Sequence, residues 1–127
     1  MANFKLVTLD GEYTIHRFSP EQDIPSSVLK SDFLSITRTD DELSILCDGN
    51  IPVSSEKSET GWACIKVLGL LDFGLTGILA RIASVLAEAE ISIFAISTYD
   101  TDYILVKKEK LAAAQKALEQ AGYIFEN

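Results

Sequence analysis

The chain has 127 residues, of which 47% are hydrophobic, and it carries a formal net charge of −8 with a pI near 4.5. This length suits one domain or two half-size units, and the negative charge opposes binding to nucleic acid or to anionic membranes. No apolar run reaches the roughly 18 residues of a spanning helix, and the first residues lack a basic region followed by an apolar one, so we expect a cytoplasmic protein.

The first residues are predicted to form a hairpin. Apolar and β-branched residues dominate the runs 4–9 and 13–18, and the sequence Asp10-Gly11-Glu12 between them is a strong turn signal. Farther along, residues 25–30 begin with a proline, which is favourable in the first turn of a helix. We therefore expect two paired antiparallel strands followed by one short helix.

A second hairpin is predicted next. Residues 33–38 and 43–47 have strand-like composition and flank the polar turn 39–42. Residues 52–60 are polar and have no clear periodicity, so they are predicted to connect the two halves of the chain.

The second half begins with an apolar strand over 62–68, followed by a loop that contains Gly74 and Gly77. A helix is predicted from residue 78, because apolar residues recur at helical spacing on one face. Those residues are Ile78, Ile82, Val85 or Leu86, and Ala89.

Two further strands are predicted over 91–98 and 103–107, joined by the turn 99–102. A second helix is predicted from about Glu109 to Gly122, a residue suited to a left-handed cap, and a last strand over 123–125. The buried residues of this helix are predicted to be Leu111, Ala114, Leu118 and Ala121. The resulting order is β-α-β-β-α-β, the split ferredoxin-like unit.

The glycine-containing loop is the strongest chemical signal. Gly74 and Gly77 precede a helix N-terminus, where backbone N–H groups and the helix dipole favour a small anion such as the carboxylate of an amino acid. In the alternative interpretation the segment is a plain strand-to-helix turn, with Thr76 as the N-cap.

Three interpretations are open for Asp100 and Asp102. They form a solvated turn, because Asp is common in turns, or they recognise the ammonium group of a ligand, or they contribute to a divalent-cation site. His16 is the only histidine and has no nucleophile arrangement beside it, so no catalytic role is expected. Cys47 and Cys64 lie in apolar runs and are predicted to be buried small hydrophobes.

The stretches 69–79, 86–93 and 96–106 resemble an ACT domain. More closely, the chain is similar to small tandem-ACT proteins related to CASTOR-type arginine sensors and to the regulatory half of aspartate kinases. The resemblance implies an α+β fold of tandem ferredoxin-like βαββαβ units, with antiparallel sheets and helices on one face. It divides the chain into a degenerate N-terminal ACT-like unit, residues 1–60, and a C-terminal ACT domain, residues 61–127.

The resemblance also implies a function. It implies a small regulatory protein that binds a free amino acid at an interface between ACT units, without catalysis, metal or cofactor. The implied ligand-binding residues are Asp72, Phe73, Gly74, Leu75, Thr76, Ile96, Ser97, Thr98 and Asp102. The expected partners are the amino acid, further copies of the chain in a homo-oligomer such as a dimer, and a regulated enzyme. The alternative is an interaction or oligomerisation module with no small-molecule ligand.

Overall fold

The computed structural model describes residues 5–68 and 77–127. Within these ranges the chain forms eight strands, two α-helices and two short 3-10 helices. The strands are β1 (Lys5–Thr8), β2 (Tyr13–Phe18), β3 (Ser35–Arg38), β4 (Leu43–Asp48), β5 (Lys57–Val67), β6 (Phe94–Ser97), β7 (Asp102–Lys107) and β8 (Ile124–Phe125). The helices are α1 (Ile78–Glu88) and α2 (Leu111–Gln120), and the 3-10 helices span Ser26–Lys30 and Lys108–Lys110.

The chain divides into two compact units. The N-terminal unit is Gly11–Trp62, and the C-terminal unit combines Met1–Asp10 with Ala63–Asn127. Strand β1 belongs to the C-terminal unit because it pairs with the last part of β5 and with β8. In this respect the compact units differ from the predicted ranges 1–60 and 61–127, whose assignment as two ACT-like units stays a prediction.

The N-terminal unit is built on the strand order β3-β4-β2-β5, to which β5 contributes its first part. The predicted hairpin of β3 and β4 is confirmed, with Ser35 opposite Leu46 and Arg38 opposite Leu43. The predicted short helix is present as the first 3-10 helix, and its Val28 is fully buried. The core of the N-terminal unit consists of Phe18, Val28, Leu43, Ile45 and Cys47.

The predicted hairpin between the first two strands is wrong. In the described part of the chain, β1 pairs with β5 and β8, whereas β2 pairs with β4 and β5. The turn signal at residues 10–12 marks a change of direction but does not specify which strands exchange hydrogen bonds. Strand β5 is 11 residues long, so it has backbone groups for both β1 and β2.

The predicted connection over residues 52–60 is also partly wrong, because β5 begins at Lys57. Residues 57–60 have exposed side chains, and their backbone pairs with β2, with Arg17 opposite Lys57. This part of the strand is paired through its backbone, and its polar side chains give no apolar pattern from which a strand is recognised.

The C-terminal unit has the predicted βαββαβ order, formed by β5, α1, β6, β7, α2 and β8. Its strand order is β6-β7-β5-β1-β8. Strand β1 is antiparallel to β5 and parallel to β8, so it occupies the position between the first and last strands of the unit. The mostly antiparallel sheet with two helices confirms the α+β, ferredoxin-like fold class.

The helices of this unit bury most of the predicted apolar residues, and Leu111 is half-buried. Helix α1 contributes Ile78, Ile82 and Leu86, and α2 contributes Ala114 and Leu118. They pack against strand residues that include Leu6, Ile65, Val67, Ile104 and Val106.

Ala89 and Ala121 were expected to be buried, and both are exposed. Each is the C-cap of its helix, where the chain leaves the helical path and the buried stripe ends. Strand β6 starts later than residue 91 for the same reason, because the Ile91 N–H donates to the Leu86 carbonyl as part of the helix end. Gly122 has φ 102°, which confirms the predicted left-handed cap.

Candidate functional site

The implied ligand-binding residues Asp72, Phe73, Gly74, Leu75 and Thr76 lie outside the described residues. The segment that contains them leaves the end of β5 and enters α1 at Gly77. Two described elements bear on this implied site, and we call them its flanks. They are the hairpin of β6 and β7, which carries the other implied residues, and the N-terminus of α1, which follows the segment in the chain.

The first flank is the hairpin of β6 and β7, which carries the remaining implied site residues. Ser97 lies opposite Asp102 in the antiparallel register, and its hydroxyl donates to Asp102 Oδ1 at 2.5 Å. Ile96 is half-buried and faces Tyr103 in the register, while Thr98 is exposed. The hydrogen bond from Ser97 fixes the Asp102 carboxylate at the end of the hairpin next to its turn.

The hairpin turn is held in place by Thr101, a residue that the sequence did not single out. Within the turn, the Thr98 N–H donates to the Thr101 carbonyl at 2.8 Å, and the Thr98 hydroxyl donates to the same carbonyl at 3.1 Å. The Thr101 side chain is 4% exposed, and its hydroxyl donates to the Val67 carbonyl at 2.7 Å. Val67 is the last residue of β5, so this bond joins the hairpin turn to the start of the segment leading to α1.

The second flank is the N-terminus of α1. Its N-cap is Gly77, with φ 80°, a residue that has no side chain with which to cap the helix. The plain-turn interpretation, with Thr76 as the N-cap, concerns a residue outside the described ranges; the N-cap that the structure gives α1 is Gly77. A side chain at Gly77 would be strained by this backbone conformation, although space is available, since an added Cβ would lie 4.0 Å from Arg81 Nη1.

A shallow cavity of about 350 Å³ lies beside this helix. Its lining combines the outward side of α1 with the end of α2: Gly77, Ala80, Arg81, Ser84, Val85, Ala121 and Tyr123. Sequence reasoning did not select Arg81, because it lies on the polar face of the predicted helix, where a charged residue is unremarkable.

The aspartates of the hairpin do not form a metal centre with other described residues. No group of three or more His, Cys, Asp or Glu side chains that could hold a metal ion occurs within residues 5–68 and 77–127. Asp100 is exposed in the turn, whereas Asp102 is half-buried and bonded to Ser97. The two carboxylates therefore have different surroundings despite their spacing.

His16 is buried in β2, and its Nδ1 lies 2.8 Å from the Ser55 hydroxyl oxygen. That hydroxyl donates to the Lys57 carbonyl at 3.1 Å, so the imidazole N–H is the donor to Ser55 when both bonds form. Burial lowers the pKa of His16 below its usual value. These two hydrogen bonds connect β2 to the segment before β5. The Ser55 hydroxyl proton is used in the bond to the Lys57 carbonyl.

Cys47 and Cys64 are buried free thiols, as predicted. Burial raises the pKa of both groups, and that of Cys64 rises to about 12. The neutral thiol is a weak nucleophile and a poor metal ligand, so both side chains act as apolar packing groups.

Comparison with known proteins identifies the class to which the fold belongs. A family model described as an ACT domain matches residues 57–120, and a separate N-terminal-domain model matches residues 11–54. The chain therefore belongs to the ACT domain family, a family of regulatory domains.

Individual relatives agree with this assignment. The human cytosolic arginine sensor for mTORC1, subunit 1, is 28% identical over an alignment of 104 positions, and the match covers 73% of this chain and 32% of the sensor. The chain thus spans about a third of the length of this relative. The crystal structure of the protein Atu0741 from Agobacterium tumefaciens matches with a TM-score of 0.90 and 39% identity, covering 98% of this chain and 93% of that one.

A more distant match concerns the fold alone. The ligand-free regulatory subunit of aspartate kinase from Thermus thermophilus has a TM-score of 0.67 at 14% identity, with coverage of 95% of this chain and 99% of that one.

Within the described residues, neither helix has the length and apolar character needed to cross a bilayer.

Proposed function

We propose that this ACT protein is a small regulator that binds a free amino acid at an interface between ACT units and performs no catalysis. Membership of a regulatory family supports the general role. The arginine sensor among its relatives supports an amino acid as the class of ligand. The same relative is named cytosolic, and we propose a cytoplasmic location on that basis.

The proposed site lies where the segment between β5 and α1 meets the hairpin of β6 and β7. The bond from Thr101 to the Val67 carbonyl is the observation that carries this proposal, because it joins the hairpin to the residue from which that segment departs. The proposed contacts are Asp72, Phe73, Gly74, Leu75, Thr76, Ile96, Ser97, Thr98 and Asp102.

The chemistry of the flanks suits the two ends of an amino acid. The N-cap of α1 is a glycine, which has no capping side chain of its own, and the first turn has no acidic residue, so the partial positive charge of this N-terminus is suited to a carboxylate. Asp102 supplies the opposite charge, and it retains acceptor sites beyond the one that Ser97 uses. Charge-assisted hydrogen bonds at both ends would distinguish a zwitterion from a simple organic acid.

The proposed partners follow from the same role. A regulator of this kind acts through an enzyme whose activity it controls, and an interface between ACT units is completed in a homo-oligomer. We therefore propose a homo-oligomer, such as a dimer, that communicates the presence of the amino acid to a regulated enzyme.

The proposal is tested by a thermal-shift screen of the purified chain against the twenty free amino acids, with organic acids and nucleotides as controls. A ligand at 100 times its dissociation constant adds about 2.7 kcal/mol to the free energy of unfolding, which raises the melting temperature measurably. A selective rise for one or a few amino acids supports the proposal. A flat response across the panel contradicts it and favours the interaction module without a ligand.

Variants of the hairpin then locate the site. Asp102→Asn should weaken binding of the amino acid found in the screen by tenfold or more, since it removes a charged partner at about 1.5 to 3 kcal/mol. Asp100→Asn is the matched control, because Asp100 is an exposed aspartate of the same hairpin. Equal affinities of the two variants would contradict the assignment of Asp102.

A further inference from the structure

The N-terminal unit exposes apolar side chains around its 3-10 helix, which spans Ser26–Lys30. Ile24 is 40% exposed and Leu29 is 65% exposed, and they are two of the four large apolar side chains that are exposed among the described residues. Pro52 is also exposed, and it lies beside the same helix because the Ser27 hydroxyl donates to the Pro52 carbonyl at 3.3 Å. We call the surface formed by Ile24, Leu29 and Pro52 the apolar patch.

The two large side chains of the apolar patch are close together in space. From Ile24 to Leu29 the chain takes two extended steps through Pro25 and then three steps along the 3-10 helix. At about 3.3 Å per extended residue and about 2 Å per 3-10 residue, the two Cα atoms lie within about 13 Å of each other. A single exposed apolar residue is ordinary on a folded protein, whereas a contiguous group of them marks an interaction surface.

Burial and hydrogen bonds hold the apolar patch in one conformation. Val28, the residue before Leu29, is fully buried in the core of the N-terminal unit and anchors the 3-10 helix there. The segment before Ile24 is held by the Arg38 guanidinium, which donates to the carbonyls of residues 20 and 22. A surface whose geometry is fixed in advance loses less conformational entropy when it binds a partner.

The charge around the apolar patch indicates the chemistry of that partner. The N-terminal unit contains ten acidic and four basic residues, so it carries a net charge of −6 out of −8 for the whole chain. Exposed acidic residues flank the helix in the chain on both sides, with Glu21 and Asp23 before it and Asp32 after it, and Lys30 is the basic residue of this stretch. Basic side chains placed beside apolar ones therefore complement this surface.

The local structure of the apolar patch indicates the form of the partner segment. An extended segment binds by pairing with the backbone of a strand edge, and the patch residues belong to a 3-10 helix and to loops. An amphipathic helix binds instead through apolar side chains, which recur about 10 Å apart at positions i and i+7. Two such side chains can reach Ile24 and Leu29 at the same time.

We propose that the apolar patch is a docking surface for a basic amphipathic helix of a partner protein, with lysine or arginine side chains of that helix beside Glu21, Asp23 or Asp32. The surface belongs to the N-terminal unit, whereas the residues proposed for amino-acid binding belong to the C-terminal unit. Docking at the patch gives a regulated partner a place on the chain, and it does not require an amino acid to be bound.

The test uses the full ¹⁵N-labelled chain and three synthetic peptides. The first is an amphipathic helix of leucine and lysine, the second has glutamate in place of every lysine, and the third keeps the lysines but has serine in place of every leucine. We expect the first peptide to shift the amide signals of residues 21–32 and 51–53, to bind more weakly in high salt, and the other two to leave these signals unchanged. Shifts confined to other parts of the chain, or equal binding of the glutamate peptide, would overturn the proposal.

Variants of the apolar patch provide the second part of the test. Ile24→Ser and Leu29→Ser should each weaken binding of the leucine–lysine peptide by about tenfold, since each removes an apolar side chain from the contact. Both side chains are exposed, so the fold does not depend on them. Ile124→Ser is the matched control, because Ile124 is an apolar residue of the C-terminal unit that is 57% exposed.

The variants and the chain alone also give the contradicting results. Equal peptide affinities of Leu29→Ser and Ile124→Ser would show that the apolar patch is not the docking surface. Signals of residues 24–29 that shift with the concentration of the chain alone would show that a second copy occupies the patch, and the proposal of a separate partner would then be wrong. Neither result bears on amino-acid binding, which the thermal-shift screen measures separately.

Discussion

Glu90 and Gly122 occupy the same structural position, each as the first residue after the C-cap of an α-helix and each with a left-handed backbone, at φ 61° and 102°. Around Glu90, its N–H donates to the Ala87 carbonyl and the Ile91 N–H donates to the Leu86 carbonyl. At the end of α2, the Gly122 N–H donates to the Glu119 carbonyl and the Tyr123 N–H donates to the Leu118 carbonyl. Both helices therefore end in a Schellman motif, and only one has the residue that suits it.

This relationship predicts opposite effects of substitution at the two positions. Glu90→Gly should raise the free energy of unfolding by about 0.5 to 1 kcal/mol, because it removes a Cβ from a left-handed residue. Gly122→Ala should lower it by about 1 kcal/mol. Urea denaturation measures both, and Glu90→Ala is the control that removes the charge but keeps the Cβ. Equal stabilisation by Glu90→Ala and Glu90→Gly would contradict the backbone explanation.

The placement of β1 within the C-terminal unit predicts the effect of substitutions in that strand. Leu6 is fully buried in the core formed with α1 and α2, whereas Val7 is half-buried. Leu6→Ala should therefore reduce the free energy of unfolding by about 2 to 5 kcal/mol, and Val7→Ala by clearly less. Denaturant unfolding followed by the change in helical signal tests this, and equal losses for the two variants would argue against the observed register of β1.

The hydrogen bond from Thr101 to Val67 predicts a sensitive position in an otherwise exposed turn. Thr101→Val keeps the shape of the side chain but removes the buried donor, so it should cost about 1 to 3 kcal/mol of stability. Thr98→Val is the comparison, because the Thr98 side chain is exposed and bonds within the turn. If Thr101→Val destabilises no more than Thr98→Val, the bond does not anchor the hairpin.

Burial of His16 predicts a pH-dependent contribution to stability. Its pKa is lowered in the folded state from 6.5, so the unfolded chain binds the proton more readily as the pH falls. The contribution is therefore fully present above the unfolded pKa and is lost as the pH falls through 6.5 toward the folded value. When the pH is lowered from about one unit above 6.5 to about one unit below it, the free energy of unfolding of His16→Asn should fall less than that of the wild type. Parallel pH profiles would contradict this.

The sequence predicts local elements of this chain better than it predicts their partners. The β3–β4 hairpin and the βαββαβ order are visible because short turns and helical periodicity are local properties. The insertion of β1 between β5 and β8 is not visible, since a turn signal at residues 10–12 says nothing about long-range pairing. The strand over residues 57–60 is equally hidden, because its polar side chains show no apolar alternation.

The candidate site shows the same difference between what local sequence signals predict and what depends on long-range contacts. The resemblance selects Ser97 and Asp102, which the structure pairs through a hydrogen bond. Thr101 and Arg81 escape selection because a turn threonine and a charged residue on a helix face are common features. The Thr101 hydroxyl anchors the turn because the tertiary fold brings it to the Val67 carbonyl, and Arg81 lines the cavity because the fold places α1 beside the end of α2.

The most direct test of the central claim is a ¹H–¹⁵N spectrum of the labelled chain recorded while each of the twenty amino acids is added. We predict that one or a few of them shift the amide signals of residues 77–81 and 97–102, which flank the proposed site, and leave the signals of β3 and β4 unchanged. If no amino acid moves these signals, or if the shifts fall only elsewhere, the chain does not bind an amino acid at this site.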